Sequence, residues 1–236
     1  MKKGYSRIAV ISDMHLPYHH PDTVSFLAEI KKKYRPDKWV SIGDEADKHS
    51  MSFHESDPDL PSAGDELKLT IKKFQPIYKL IPNLDLVDSN HGSMAFRKAL
   101  ANGIPKAYIK SYREVLKAPK GWSWHSDLTL KMSNGEKVYF HHGKCADVLK
   151  ASQTMAMSMV QGHYHERFKI EYWGNPNGLF WGLQIGCLIN DKSLAFAYNK
   201  NNTKRPIVGM GIILNGLPKL LPMVLNKKGR WIGELP

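Results

Sequence analysis

Short apolar runs alternate with amphipathic stretches through the first half of the chain, which predicts βαβ units and a largely parallel sheet. Residues 8–11, Ile-Ala-Val-Ile, read as a first strand. Pro21 and Asp22 then open a helix that carries Val24, Leu27, Ala28 and Ile30 at helical spacing and ends in a lysine run at 31–33, ahead of Pro36. Residues 39–42 read as a second strand, residues 65–81 as a helix with a candidate bend at Pro76, and residues 84–87 as a third strand.

Downstream the rhythm changes. Two helices, over 93–101 and 106–116, lead into Gly121-Trp122-Ser123-Trp124. Apolar runs at 128–132 and 137–140 flank Asn134-Gly135, a pair that tolerates the positive φ angles of a type I′ hairpin turn. Val160 and residues 167–172, 180–185 and 207–214 mark further strands, so the second half reads as richer in antiparallel sheet. Residues 166–236 form a strand-rich C-terminal part without a motif. Within it Asn175-Pro176-Asn177-Gly178 suits an edge hairpin, a dimer contact or a lid, and residues 199–205 suit a mobile loop.

At 236 residues, 42% of them hydrophobic, the chain can bury the core of one compact α/β domain spanning 1–236. Its net charge of +12 creates a field that favours polyanions, with a basic surface that only aids solubility as the competing reading. Cys145 and Cys187 sit in no Cys-x-x-Cys pattern and cannot make a disulfide framework, which fits a reducing cytoplasm. The basic start Met1-Lys2-Lys3 precedes an apolar stretch broken at once by Ser12 and Asp13, too short for export or anchoring. No apolar run approaches the roughly 18 residues a transmembrane helix needs, so no membrane partner is expected.

Five fragments place metal-binding side chains beside small residues: Asp13-Met14-His15, Gly43-Asp44-Glu45-Ala46-Asp47, Asn90-His91, His142-Gly143 and Gly162-His163-Tyr164-His165. Each begins within a few residues after a predicted strand, and the crevice beyond the carboxyl ends of strands is where open α/β sheets bind ligands. Together they offer oxygen and nitrogen donors for two adjacent divalent ions, with one histidine left for proton transfer. Phosphate esters resist hydrolysis because their anionic oxygens repel hydroxide and the alkoxide leaves poorly. Two metals ~3.5–4 Å apart meet both obstacles, generating hydroxide near neutral pH and screening the charge that builds on the phosphoryl group. The pair needs a bridging carboxylate, and Gly43 lets the backbone turn sharply enough to bring Asp44 there.

In this order the five blocks resemble the calcineurin-like metallophosphoesterase superfamily, whose pattern runs Asp-x-His, Gly-Asp-x-x-Asp, Gly-Asn-His-Asp/Glu, His and Gly-His-x-His. The likeness covers residues 8–165. It implies two mixed β-sheets sandwiched between helices in a four-layer α/β architecture. It also implies that Asp13, His15 and His165 hold one metal, that Asn90, His142 and His163 hold the other, and that Asp44 bridges them. His91 would stay off the metals and face the leaving group, acting as general acid or otherwise stabilising the phosphoryl charge. Two departures stand out. Ser89 replaces the usual glycine, and Gly92 replaces the acid that orients the catalytic imidazole in relatives, leaving that task to Asp47 or a backbone carbonyl. Asp47 is followed by Lys48-His49, not by the Asp-Arg-Gly of protein Ser/Thr phosphatases, which argues against a phosphoprotein substrate. At the fourth block either His141 or His142 could be the ligand; His142 is chosen because it precedes glycine. His19, His20, His49, His54 and His125 match no block and read as solvated or structural, with His49 and His54 able to overhang the pocket.

The expected activity is therefore a dinuclear metal-dependent phosphoesterase that works through hydroxide held between two ions. Carboxylate, amide and imidazole donors suit Mn²⁺, Fe²⁺ or Zn²⁺, with Mn²⁺ expected to support turnover best. A phosphodiesterase acting on DNA, RNA or nucleotides fits the sequence pI ≈ 9.5 and the basic clusters at 31–33, 72–73 and 227–228. Arg97 near a helix start is a candidate phosphate ligand, and Trp122, Trp124, Trp173 and Trp181 are candidates for base stacking or for the core. A small-molecule phosphomonoesterase or cyclic-nucleotide phosphodiesterase is the alternative, and a non-catalytic scaffold would be expected to have lost ligands. The resemblance makes a homodimer a further expectation.

Overall fold

Ile8 and Val10 point to one side of the first strand and Ala9 and Ile11 to the other, and all four are fully buried. A strand buried on both faces needs cover on both. The computed structural model, which describes residues 4–52, 57–199 and 203–236, supplies that cover with helices on one side and a second sheet on the other. Met1, Lys2, Lys3, His54 and residues 200–202 of the predicted 199–205 loop lie outside the described residues.

The chain runs β1 (Arg7–Ile11), α1 (Thr23–Tyr34), β2 (Lys38–Ser41), α2 (Ala63–Leu80), β3 (Leu84–Val87), α3 (Met94–Ala101), α4 (Tyr112–Leu116) and β4 (Trp122–His125). It continues through β5 (Leu128–Lys131), β6 (Lys137–His141), α5 (Val148–Met155), β7 (Ser158–Gln161), β8 (Phe168–Asn175), β9 (Gly178–Ile185), β10 (Gly209–Leu214) and β11 (Leu217–Pro222). The first sheet has the order β11-β10-β1-β2-β3-β4; β1 to β4 are parallel, and β10 and β11 run antiparallel at one side. The second has the order β5-β6-β7-β9-β8, with β6, β7 and β9 parallel between antiparallel edges. Both sheets are mixed, as expected.

Three apolar interfaces hold the layers. Val10, Val40 and Ile42 meet Phe140, Val160 and Leu183 between the sheets. On the outer face of the first sheet, Phe26 and Ile30 of α1 and Phe74 and Ile77 of α2 pack with Ile11 and Trp122. On the outer face of the second, Val148 of α5 packs with Tyr139 and Met159. The result is the four-layer helix-sheet-sheet-helix sandwich. Among the described residues no helix is long and apolar enough to cross a membrane.

Two local expectations are corrected. The helix expected over 106–116 is split into a single 3-10 turn at Lys106–Tyr108 and the short α4. Ser111 starts α4 afresh through a capping box, its hydroxyl accepting from Glu114 N–H while the Glu114 carboxylate accepts from Ser111 N–H at 2.9 Å. The β5–β6 hairpin forms, but not through a type I′ turn: only Gly135 takes a positive φ, +94°, while Met132 N–H reaches the Glu136 carbonyl at 2.8 Å around a three-residue loop. Asn134 instead spends its side-chain oxygen on Glu136 N–H at 3.1 Å. Of the readings left open for 175–178, an edge hairpin is what forms, since β8 and β9 pair antiparallel and β8 is the outer strand.

Candidate metal centre

All five fragments follow C-terminal ends of parallel strands: Asp13 after β1, Asp44 after β2, Asn90 after β3, His142 after β6 and His163 after β7. Because the two sheets pack face to face, those loops converge. Backbone pairing carries the first two loops beyond their strands, with Asp13 N–H on Gly43 O at 3.0 Å and His15 N–H on Asp44 O at 2.9 Å. The turn that results is tight: Asp13, His15 and Asp44 all take φ near +50°, a conformation costly for residues with a side chain. Gly43 has φ +100°, and a Cβ there would lie 2.5 Å from Ser89 Cβ and 3.0 Å from His142 Nδ1. Glycine is thus required for the second, third and fourth loops to close on one another.

Each donor is oriented by a specific partner. Asp44 accepts His91 N–H on Oδ1 at 3.0 Å, while its Oδ2 lies 3.1 Å from His142 Nε2 and 3.7 Å from His15 Nε2. One carboxylate oxygen therefore stands between imidazoles from opposite halves of the site. Asp13 faces His165 Nε2 with Oδ1 at 3.1 Å and accepts His163 N–H on Oδ2 at 2.9 Å. His142 commits Nδ1–H to the Ile42 carbonyl at 2.8 Å, which leaves Nε2 as the inward nitrogen. His15 places Nδ1 2.6 Å from Asp47 Oδ1, and the carboxylate fixes the ring so that Nε2 faces the centre.

That Nε2 is fully enclosed yet has no hydrogen-bond partner among the described residues, and neither has Asn90 Oδ1. Buried polar atoms are seldom left so. Ligand atoms of Asp13, His15 and His165 lie within 4.8 Å of one another, as do those of Asp44, His142 and His163, so each triad could hold a metal ion. The donor set fits a divalent cation well: three buried imidazole or amide atoms lack protein partners or face carboxylates, and no thiolate is present among the donors. His15, Asp44 and His91 form a third such grouping, which the sequence reading did not foresee.

The field of the carboxylates draws positive charge into this pocket. Burial alone would lower the pKa of His15, but Asp13 and Asp47 beside it hold the ring well above the usual histidine value. Burial likewise opposes the charge on His142, and the nearby Asp44 carboxylate overrides it and pushes the pKa up to about 9. Asp13 and Asp44 are buried too, yet their imidazole neighbours keep both carboxyls well below the ordinary range. His91, by contrast, is lowered by burial and by the charge of His15.

The orientation of His91 has a clear answer. Its Nδ1 abuts the backbone carbonyl of Asp47, which can only accept, so Nδ1 carries the proton and Nε2 is directed away. The Asp47 carboxylate is further off, at 3.8 Å. Lys48 secures the same loop by donating to the carbonyls of His91 and Gly92 at 2.7 and 2.8 Å. His141, the alternative at the fourth block, packs beside Tyr139 and takes Lys144 N–H on Nδ1. Arg97 lies at the site's edge, its guanidinium donating to Asn90 O at 2.9 Å.

Other candidates fall elsewhere. The lysine run at 31–33 ends α1 at the far end of the sheet, where Lys31 caps Leu80 O and Lys33 holds Leu235 O. Trp122 and Trp181 are core residues; Trp124 donates to Glu45 and Trp173 to Ser152. His19 and His20 bond to backbone carbonyls, and His125 faces Asp85. Two contributors went unforeseen. Ser89 Oγ accepts both Asp44 N–H at 2.9 Å and Gly92 N–H at 3.0 Å, and Lys48 holds the His91 loop as described. The replacement of glycine by Ser89 was the available signal for the first; nothing in the sequence marked the second.

No family model and no curated protein matches the chain. Solved structures do. Vacuolar Protein Sorting 29 from Cryptosporidium parvum is 12% identical, with 99% of this chain and 96% of that chain covered at a TM-score of 0.51. Wild-type Vps29 from Entamoeba histolytica, complexed with Zn²⁺, is 13% identical over 92% of this chain and 93% of its own, with a TM-score of 0.47. YfcE, a phosphoesterase from E. coli, is 11% identical over 96% of both chains, with a TM-score of 0.45. The likeness to the Cryptosporidium parvum structure is one of fold, two mixed sheets between helices, which is the architecture expected from the order of the five blocks.

Proposed function

We propose that this protein is a dinuclear metal-dependent phosphodiesterase acting on nucleic acid or nucleotides. The observation that carries the reading is the position of Asp44 Oδ2 between His142 Nε2 and His15 Nε2, each in its own donor triad. Asp13, His15 and His165 would hold one ion, Asn90, His142 and His163 the other, and Asp44 would bridge. Two divalent ions, Mn²⁺ foremost, would lower the pKa of the attacking water and screen the charge gathering on the phosphoryl oxygens.

The chain's own side chains do the rest. His91, with Nδ1–H committed to the Asp47 carbonyl, has Nε2 left for the pocket, and in its imidazolium form it would pass the Nε2 proton to the departing alkoxide and return to the neutral Nδ1–H ring. Asp47 fixes His15 with its carboxylate and His91 with its main chain, coupling the aim of a ligand to that of the acid. The preference for a polyanionic substrate draws support from residues 91–120, which hold seven Lys and Arg against the single Glu114 and begin at His91 itself. Charge concentrated beside a phosphate site raises the local concentration of phosphodiesters.

The test is a panel of bis-p-nitrophenyl phosphate, p-nitrophenyl phosphate, cyclic nucleotides and single- and double-stranded DNA, each with Mn²⁺, with Zn²⁺ and with chelator. Diester turnover that needs Mn²⁺ and weakens steeply with salt on DNA supports the reading. Monoester turnover that is insensitive to salt would replace it with a small-molecule phosphatase, and zinc-only turnover would overturn the choice of manganese.

A further inference from the structure

A cavity of about 560 Å³ opens on the helix side of the first sheet, walled by the start of α2, by α3, by the 3-10 turn at Lys106–Tyr108 and by α4. None of the metal-centre donors lines it, and neither does His91. Its inner wall is aromatic, made by Phe96, Tyr112 and Trp124, with Val115 and Leu116 beside them. A space of this size, mostly apolar with a few placed polar groups, has the character of a small-molecule site. It is ample for a two-ring aromatic body.

The polar groups around it narrow the ligand further. Lys48 lines the cavity from within, its ammonium 3.8 Å from the centre of the Tyr112 ring. Lys106 and Lys110 line it from exposed positions, and neither makes a salt bridge among the described residues. Of the two acids among the described lining residues, Glu66 has its carboxylate occupied by the N–H groups of His49 and Ser50 and by the Ser50 hydroxyl. That leaves Asp88 set against Lys106 and Lys110, since the Lys48 ammonium is engaged by the carbonyls of His91 and Gly92. The Tyr112 hydroxyl, enclosed in the same wall, makes no hydrogen bond among the described residues and is a donor awaiting an acceptor.

We propose that this cavity is a second ligand site, distinct from the metal centre, that takes an organic anion with a planar aromatic body. The aromatic part lies against Trp124, Tyr112 and Phe96, and the anionic end meets Lys106 and Lys110. This inference does not depend on the phosphoesterase reading, because neither a proposed metal ligand nor His91 lines the cavity.

Two dyes that differ only in charge test it on the full chain: 1-anilinonaphthalene-8-sulfonate and the neutral N-phenyl-1-naphthylamine, each followed by its own fluorescence and by energy transfer from tryptophan. One sulfonated dye should bind per folded chain, at least about tenfold more tightly than the neutral one. Two variants fill the cavity. Gly64 lines it, and a Cβ there meets nothing within 4 Å, so Gly64→Trp projects a ring into open space; Ala95→Trp does so from α3. Both should weaken each dye by at least about tenfold with the melting temperature retained. Lys106→Glu combined with Lys110→Glu should abolish the advantage of the sulfonate and leave the neutral dye unchanged. Absence of binding to the native chain, or binding that survives in both filled variants, would overturn the site. Equal affinity for the two dyes would overturn the anionic class of its ligand.

Discussion

The backbone N–H of His91 donates to Oδ1 of Asp44 at 3.0 Å. The third loop thereby sets the rotamer of the second loop's carboxylate and leaves Oδ2 free to face His15 and His142. Because this anchor is main chain, it survives side-chain replacement. His91→Ala should keep metal content near normal while kcat falls by roughly 10²–10⁴-fold, the usual contribution of a positioned acid. Asp44→Asn should lose turnover altogether together with metal. Turnover on the diester panel and elemental analysis of the same samples check both; an emptied site in His91→Ala would instead make His91 a ligand, in line with its proximity to His15 and Asp44.

Asp47 makes two contacts of different kinds. Its carboxylate meets His15 Nδ1 at 2.6 Å, and its carbonyl meets His91. Asp47→Ala removes the first, with the carboxylate's longer contacts to His49 and His91, and keeps the second. Metal affinity at the His15 site is expected to fall by roughly 10–100-fold, as for loss of the group behind a ligating histidine, while the His91 ring keeps its place. A metal titration by calorimetry reads the first effect, and histidine ring NMR the second.

Ser89 ties two loops together through one hydroxyl. Ser89→Ala strands the N–H groups of Asp44 and Gly92 in a largely buried position, which should cost roughly 1–3 kcal/mol of stability. Urea unfolding of the two proteins measures the difference.

The chain's C-terminal segment is fastened to the start of α1 by Asp22, which pairs with the Arg230 guanidinium and accepts Trp231 N–H at 2.9 Å. The Arg230 contact, only slightly opposed by burial, lowers the Asp22 pKa to about 2. A carboxyl depressed on folding adds stability that is complete above its unfolded value near 3.8 and is lost as pH falls through about 2. Arg230→Ala should therefore be somewhat less stable than the native chain at pH 6, the effect being small because Arg230 is mostly exposed. The gap should close between pH 4 and pH 2 in denaturant titrations.

The convergence of the candidate donors was readable because its signal is local: a short apolar strand, then a donor beside a small residue, five times over. β3 was placed at its observed bounds, and β1 and β2 to within a residue, for the same reason, since buried parallel strands are near-continuous apolar runs. Short helices stabilised mainly by packing left fainter traces. The helix α5, with Asp147 capping the N–H groups of Leu149 and Lys150, and the final strand β11 were not anticipated. The apolar spacing of 106–116 concealed the restart at Ser111, because a capping box is stronger than a weak periodicity. Four tryptophans looked alike in sequence. Only packing separates Trp122, sealed beneath Phe74 and Tyr78, from Trp124 at the wall of a cavity. Lys48 carried no signal at all, since its role depends on where the carbonyls of His91 and Gly92 fall in space.

Anomalous diffraction from crystals grown with Mn²⁺ should show two peaks ~3.5–4 Å apart, one beside Asp13, His15 and His165 and the other beside Asn90, His142 and His163, with Asp44 reaching both. A single peak, or two peaks that do not share Asp44, would contradict a dinuclear centre bridged by that residue.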